Sequence, residues 1–138
     1  MNSFAVYLTF DGNCREAMDF YKSVFGGDLN RQTFRDGPME IPESHKDKIM
    51  HASLAFGDVR IMASDSMPGS KVIKGNNIQL SLNLDDESLQ SNLFNSLSQG
   101  GKVEYELQDT FWGARFGMLT DKFGIRWMMH IEKETNQG

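Results

Sequence analysis

Cysteine and histidine are scarce in this sequence. Cys14 is the single cysteine, so the chain can form no internal disulfide and no Cys-rich zinc site. The histidines are His45, His51 and His130, a small supply for a metalloenzyme. No run reaches the roughly 18 apolar residues of a membrane span, and the N-terminus lacks the basic and apolar regions of a signal peptide. These absences predict a cytoplasmic protein with no membrane partner, and a lone cysteine suits that reducing compartment.

Positive charge is also in short supply. The 138 residues carry 14 Lys plus Arg against 19 Asp plus Glu, which gives a net charge of −5. An acidic chain gains nothing by neutralising phosphates, so nucleic acid is not expected as a partner. The length corresponds to one domain that can bury a core of its own.

The chain contains a long internal repeat. Gly26-Gly27 and Gly100-Gly101 lie 74 residues apart, and the same offset aligns Phe10-Asp11 with Leu84-Asp85. Each copy has the pattern of one strand, one helix and three further strands. We therefore predict a single domain with module one over 4–65, a linker over 66–77, module two over 78–132 and a polar tail over 133–138.

Periodicity and end signals predict one helix per module. The first is expected over 14–25, with Asn13 and Glu16 forming a capping box at its start. The second is expected over 87–99, with Asp85 or Asp86 as its cap and a stripe of Leu89, Leu93 and Leu97. The apolar face expected for the first helix is Ala17, Phe20, Tyr21 and Val24. Strands are expected over 5–10, 29–34, 50–56, 59–64, 78–83, 103–107, 115–120 and 125–131.

The segment 35–48 interrupts the repeat. It carries two prolines and seven charged residues. Two interpretations are open, a surface loop or a lid over a pocket, and surface loops are the commoner of the two.

Several motifs spread along the chain carry a resemblance to a known superfamily. They are YLTFDGN at 7–13, AMDFY at 17–21, FGG at 25–27, MHA at 50–52, SDSMPG at 64–69, TFWG at 110–113 and DKFGIRW at 121–127. Together with the doubled unit, they resemble the vicinal oxygen chelate superfamily of glyoxalase I, bleomycin-resistance proteins and extradiol dioxygenases, and most closely its PhnB-like branch. The resemblance covers about residues 4–132.

The resemblance implies a fold and a way of binding. The fold is α+β, with two βαβββ modules forming cupped mixed sheets that face each other around a pocket, the glyoxalase-like fold. It also implies a homodimer whose pockets lie within or across subunits, and a small-molecule ligand.

Strand alternation identifies the side chains that would line the cups. One face of each strand is apolar and should pack on a helix, as Met50, Ala52 and Leu54 do in the third strand. The other face, called the mixed face, carries both polar and apolar side chains. It is either a pocket lining or simply solvent-exposed. Phe111 and Trp112 could close the pocket mouth, or could serve core or dimer packing. The pocket candidates on the strands are Tyr7, Thr9, His51, Ser53, Met62, Ser64, Gln79, Ser81, Asn83, Arg126, Met128 and His130.

Metal-dependent members of the superfamily place His, Glu or Gln ligands on the cup strands, two from each half. Through the repeat, the matching positions are near Ala5 or Tyr7, near Met62, at Gln79 and near Met128. Only Gln79 offers a suitable donor, so no metal or other cofactor is predicted. The alternative is a displaced divalent metal site at His51, Gln79 and His130; otherwise these histidines make hydrogen bonds or contact ligand as neutral imidazoles.

Other reactive groups give weaker hypotheses. Arg115 and Arg126 could hold an anionic ligand, or could reach solvent. Cys14 at a helix start could be a thiolate, but no adjacent base supports this. Ser53 or Ser64 could join a neighbouring His and Asp as a hydrolytic triad, but no nucleophile-elbow motif is present.

Three functional hypotheses follow. The first is a metal-free small-molecule-binding protein similar to the bleomycin-resistance proteins. The second is a metal-dependent enzyme of lyase, isomerase or dioxygenase type that uses the displaced site. The third is a structural or regulatory dimer with a vestigial pocket. The sequence identifies neither the ligand nor a reaction.

Overall fold

The elements of the chain occur in two equivalent series. The computed structural model describes residues 3–133, so the predicted polar tail lies outside the described residues except for Lys133. The described part contains β1 (Val6–Phe10), α1 (Cys14–Phe25), β2 (Asp28–Thr33), β3 (Ile49–Phe56), β4 (Val59–Asp65), β5 (Leu80–Leu84), α2 (Glu87–Leu97), β6 (Lys102–Asp109), β7 (Ala114–Thr120) and β8 (Arg126–Glu132).

Each series builds one four-stranded mixed sheet with one helix. The strand order is β1-β4-β3-β2 in the first sheet and β5-β8-β7-β6 in the second. In each sheet one pair is parallel, β1 with β4 and β5 with β8, and the other pairs are antiparallel. The chain divides into two units between Ile73 and Lys74, a point within the predicted linker. The predicted α+β class with two βαβββ modules is confirmed.

The offset of 74 residues holds from the first strand through the Gly-Gly pair of each copy, but not for the last strands, β4 and β8. It places β1 residue for residue on β5. Met62 pairs with Tyr7 in the first sheet, and Met128 pairs with Ser81 in the second, so the two methionines are equivalent. Burial alternates along β4 and β8, as predicted.

A carboxylate from the end of β4 starts the first helix. The Cys14 N–H donates to Asp65 Oδ1 at 2.9 Å, and the Ile49 N–H donates to Asp65 Oδ2 at 2.8 Å. Within the described chain, the Asn13 side chain makes no capping hydrogen bond, so the predicted capping box with Glu16 is wrong. The Cys14 N–H group at the helix start, which has no partner within the helix, instead donates to Asp65, 51 residues along the chain.

The buried faces of both helices differ in part from the predicted ones. In α1 the fully buried residues include Met18, which sequence periodicity left out, while Phe20 and Val24 are half-buried. In α2 the Leu89 side chain is largely exposed and Gln90 is fully buried. Gln90 Nε2 donates to the Arg115 carbonyl oxygen at 3.0 Å, and this bond makes burial of the amide tolerable. The predicted cap of α2 is confirmed, with Asp86 accepting from Leu89 N–H.

The two Gly-Gly pairs have the same structural role. Gly26 and Gly100 follow α1 and α2 with positive φ angles of 73° and 74°. A Cβ on Gly27 would lie 2.1 Å from the Ala55 carbonyl oxygen, and a Cβ on Gly101 would lie 2.2 Å from that of Thr120. Only glycine lets the chain pass so close to the neighbouring strand after each helix.

A second buried carboxylate organises the turn before β8. Asp121 Oδ1 accepts the N–H groups of Phe123 and Ile125 at 2.8 and 3.0 Å, and Asp121 Oδ2 accepts Trp127 Nε1–H at 2.9 Å. Trp127 is buried. The DKFGIRW motif therefore fixes the start of β8 and the large side chain that anchors it.

The segment 35–48 is held at several points. It contains short 3-10 helices at Phe34–Asp36 and Glu43–His45. Arg35 donates to Asp47 Oδ1 and Glu43 Oε1, and the buried His45 donates through Nε2 to the Ser66 carbonyl oxygen at 2.9 Å. The Arg35 contacts join parts of the segment to one another, and the His45 hydrogen bond joins the segment to the residue that follows β4.

Neither helix described within residues 3–133 combines the length and apolar character needed to cross a membrane.

The double role of Asp65 predicts a large stability loss on truncation. Asp65→Ala should lower the free energy of unfolding by about 3 kcal/mol, because two buried N–H groups lose their charged acceptor. Urea denaturation measures this. The control is Asp11→Ala, which removes an exposed carboxylate near the same helix end and should change stability by less than about 0.5 kcal/mol. Equal losses in the two variants would contradict the assigned role.

Candidate functional site

In the first unit, the predicted pocket residues share one face of the sheet. Tyr7, Met62 and Ser53 form one row across β1, β4 and β3. Thr9 and Ser64 form the next row, and the His51 ring lies 6.1 Å from the Tyr7 ring. Ile61 and Ala63, on the opposite face of β4, are buried.

A cleft of about 480 Å³ lies within this unit, where the row of Thr9 and Ser64 meets two long connections. Of the predicted pocket residues of this unit, Thr9 and Ser64 line it, while Tyr7, His51, Ser53 and Met62 do not. The other lining residues are Phe34, Met39, Met50, Asp65, Ser66, Met67, Ser70, Lys71, Val72 and Ile73. The size is that of a small-molecule site.

Met50 faces the cleft, so its predicted place on the helix side is wrong. The pairing of β2 with β3 shifts between Gln32 and Thr33, opposite His51 and Ile49. Such a bulge leaves one residue, here Met50, without a partner and breaks the alternation of faces. The Met50 sulfur packs close to Gly37, where an added Cβ would lie 2.6 Å from it.

In the second unit, four predicted residues also share a face. Ser81 pairs with Met128, and Asn83 pairs with His130. Asn83 and His130 border a polar depression of about 610 Å³, which is also lined by Leu84, Asp85 and Glu132. Four polar side chains, Asn83, Asp85, His130 and Glu132, therefore lie together at this end of the sheet.

Three of the predicted pocket residues that border neither depression lie outside the strands. Phe111 and Trp112 form the exposed turn between β6 and β7, with their rings in edge contact at 5.2 Å. The Trp112 ring also meets the Phe116 ring at 6.2 Å. Gln79 is half-buried and precedes β5. The aromatic pair borders neither the cleft of the first unit nor the depression of the second.

The two arginines considered for anion binding differ sharply. Arg115 donates to Gln90 Oε1 at 2.7 Å and to Ser91 Oγ at 3.0 Å, and it forms an ion pair with Glu87 at 3.4 Å. Arg115 thus joins α2 to β7, a structural role. Arg126 Nε is buried, and no hydrogen-bond partner for it exists within residues 3–133.

The donor set does not fit a metal of the kind that the superfamily can hold. No group of three or more His, Cys, Asp or Glu side chains in the described part of the chain is arranged to hold a metal ion. Met62 and Met128 occupy the central, equivalent strand positions, and a thioether is a poor ligand for hard or borderline divalent ions.

The other reactive groups are committed to the fold. Both oxygens of Asp65 accept backbone N–H groups, so this carboxylate is not available to orient a histidine in a triad. Burial raises the pKa of the Cys14 thiol from its ordinary value of 9.0 to about 12, and the nearby Asp65 carboxylate adds to the shift. The thiol is therefore neutral at physiological pH, which excludes the thiolate hypothesis.

Sequence reasoning missed most of the cleft wall. Phe34 and Met39 come from the 35–48 connection and its preceding residue, and Met67 and 70–73 come from the predicted linker. The available signal was compositional, since the apolar residues Met39, Met67, Val72 and Ile73 stand in connections that are mostly polar.

The comparison with known families agrees with this architecture. A family model described as the Glyoxalase/Bleomycin resistance protein/Dioxygenase superfamily matches residues 3–129. The chain belongs to this superfamily. Its matched region includes β1 to β7 and most of β8, so the resemblance predicted from the motifs is confirmed across nearly the whole chain.

Two similar proteins match this chain over nearly their full lengths. Protein YjdN of Escherichia coli (strain K12) is 32% identical over 144 residues, covering 93% of this chain and 94% of YjdN. A crystal structure of protein PA1353 from Pseudomonas aeruginosa is 41% identical with a TM-score of 0.87, covering 97% of this chain and 100% of that one.

A Bacillus cereus structure described as a putative 3-demethylubiquinone-9 3-methyltransferase, PhnB protein, is 24% identical with a TM-score of 0.74. That match covers 94% of this chain and 99% of that one. At this identity the likeness concerns the fold alone.

The raised pKa predicts that Cys14 is inert in the folded protein. A shift from 9.0 to about 12 lowers the thiolate fraction at pH 8 about a thousandfold, and burial also blocks access. Ellman's reagent at pH 8 should therefore label the native protein at least about a hundredfold more slowly than the protein in guanidinium. Similar labelling rates in the two states would contradict the burial and neutrality of this thiol.

Proposed function

We propose that this protein is a metal-free small-molecule-binding member of the superfamily and that the cleft of the first unit holds the ligand. The observation that carries the proposal is the cleft itself, about 480 Å³ at the mixed face of the first sheet. Ligand sites of small molecules are concave, mostly apolar and supplied with a few polar groups.

The apolar part of the wall determines how a ligand would be held. Met39, Met50 and Met67 contribute flexible thioether side chains, and Phe34 contributes a ring. Each square ångström of apolar surface removed from water contributes about 25 cal/mol, and methionine adapts its shape to irregular partners. This wall favours a flat or aromatic ligand over a strongly hydrated one.

The polar part of the wall determines how a ligand would be oriented. Thr9, Ser64 and Ser70 bring hydroxyl groups that can donate or accept, and Lys71 brings a cation. Asp65 lines the cleft, but its oxygens already accept two backbone N–H groups. A ligand with one hydrogen-bonding or anionic group at the edge of an apolar body fits this combination.

The proposed function is binding, because the titratable side chains on the cleft wall are limited to Lys71 and Asp65, and Asp65 already accepts two backbone N–H groups. The cleft wall contains no histidine and no cysteine. An activated nucleophile needs a base within hydrogen-bond reach, and a general acid or base needs a titratable side chain free to transfer a proton. The expected homodimer and cytoplasmic location stay predictions of the sequence.

Filling the cleft should abolish binding. A fragment library screened by thermal shift should give hits with the wild-type protein, and Ser64→Phe should weaken them at least about tenfold by occupying the space. The matched control is Ser81→Phe, at an exposed strand position of the second unit, which should leave the hits unchanged. No hits, or equal effects of the two substitutions, would reject the cleft as the ligand site.

Metal removal should have no effect. Protein purified without added metal should contain far less than one equivalent of divalent ion, and EDTA should not change its melting temperature, because the donor set is incomplete. Elemental analysis and a thermal scan measure both quantities. A stoichiometric ion that is lost in the His51→Ala and His130→Ala variants would overturn the metal-free proposal in favour of a displaced metal site.

A further inference from the structure

In the second unit, the buried Nε–H group of Arg126 has no hydrogen-bond acceptor within the described residues. Arg126 Nε is the one buried side-chain nitrogen or oxygen atom within residues 3–133 that has no hydrogen-bond partner. Native proteins rarely leave such a donor unpaired, and an unfilled ligand or ion site is one recognised cause. The other arginine on this sheet, Arg115, has its donors engaged by α2.

The neighbours of Arg126 form a polar row across the sheet. Arg126 pairs with Thr120 on β7. On its other side, Leu80 pairs with Trp127 in the parallel β5–β8 register, so continuing that register by one residue places Gln79 beside Arg126. The row therefore consists of the Gln79 amide, the Arg126 guanidinium and the Thr120 hydroxyl. The next residue along β8 on the same face is the apolar Met128.

The equivalent row in the first unit provides a contrast. Arg60 occupies the position of Arg126 in the repeat, pairs with Ala55 and would have Ala5 beside it in the continued β1 register. Arg60 is exposed to solvent. The same residue type at the same strand position thus has alanine neighbours in one unit and polar neighbours in the other. Sheet position alone therefore does not account for the setting of Arg126.

We propose that Arg126, with the Gln79 amide, is a binding site for a small oxyanion in the second unit. A guanidinium presents parallel N–H groups that match two oxygens of a carboxylate or a phosphate. Because Gln79 lies beside Arg126 in the continued register, its amide can add neutral N–H donors to the same site. The shared ligand chemistry is an oxyanion, either a free anion or the acidic group of a larger molecule.

The competing partner for Arg126 is a carboxylate on the same sheet. Glu104 accepts the Thr120 hydroxyl at 3.1 Å and lies 3.8 Å from the Lys102 ammonium, so its charge is already partly compensated. No ion pair within 4.0 Å joins Glu104 to Arg126 in the described chain. Glu104 therefore does not take the role of the proposed oxyanion. This inference does not depend on the cleft of the first unit.

The test follows the Arg Nε–Hε signals of the 15N-labelled full-length protein by NMR. Inorganic phosphate and acetate are added separately up to about 50 mM at constant ionic strength, because screening alone changes exposed charge pairs. One signal, absent in Arg126→Gln, should move and saturate. Movement with phosphate alone identifies tetrahedral oxyanions as the ligand class, and movement with acetate alone identifies carboxylates; either supports the site.

Variants separate the site from general charge effects. The active anion should raise the melting temperature of the wild-type protein and of Arg60→Gln equally, and it should not raise that of Arg126→Gln. In Arg126→Lys, which lacks the planar fork, the apparent affinity for the anion should fall about tenfold. Equal losses in Arg126→Gln and Arg60→Gln would overturn the proposal. An Arg126 Nε–Hε signal that does not shift with either anion would also overturn the proposal, even if that signal shifts in the Glu104→Gln variant.

Discussion

Two buried carboxylates hold the framework on which the sites depend. Asp65 joins the last residue of β4 to the first residue of α1 and to the start of β3 through two backbone N–H donors. Asp121 accepts hydrogen bonds from two backbone N–H groups of the turn before β8 and from the indole N–H of Trp127 in β8. A buried charge is tolerated only when its hydrogen bonds are made, so each aspartate fixes its surroundings strictly. The row of Thr9 and Ser64 ends beside Asp65, which places the cleft at that junction.

Much of the fold was predictable from local signals, and the failures have physical causes. The helix pattern of each copy, the Gly-Gly pairs and the alternation of faces depend on residues close in sequence, and comparing the two copies reveals the repeat, so the sequence alone shows them. The α1 cap was missed because its acceptor lies 51 residues away. Met50 was misplaced because a bulge breaks strand alternation. Gln90 was missed because a buried amide is acceptable only with a partner that the sequence does not identify.

The candidate sites were less predictable than the fold. Sheet faces follow from alternation, which correctly grouped Thr9 with Ser64 and Ser81 with Met128. The walls that convert a sheet face into a cleft come from connections whose path no periodicity describes, such as those carrying Met39 and Met67. The different roles of Arg115 and Arg126 depend on which donors find partners, and only the three-dimensional arrangement decides this.

The proposal that a small molecule occupies the first unit without a metal is tested most directly by methionine methyl NMR. In protein labelled with 13C at the methionine methyl groups, fragments that raise the melting temperature should shift the signals of the cleft residues Met39, Met50 and Met67. The signals of Met118 and Met128, on the second sheet, should stay fixed, and prior EDTA treatment should not change the response. Shifts confined to Met118 and Met128, or shifts that disappear after EDTA treatment, would contradict the account.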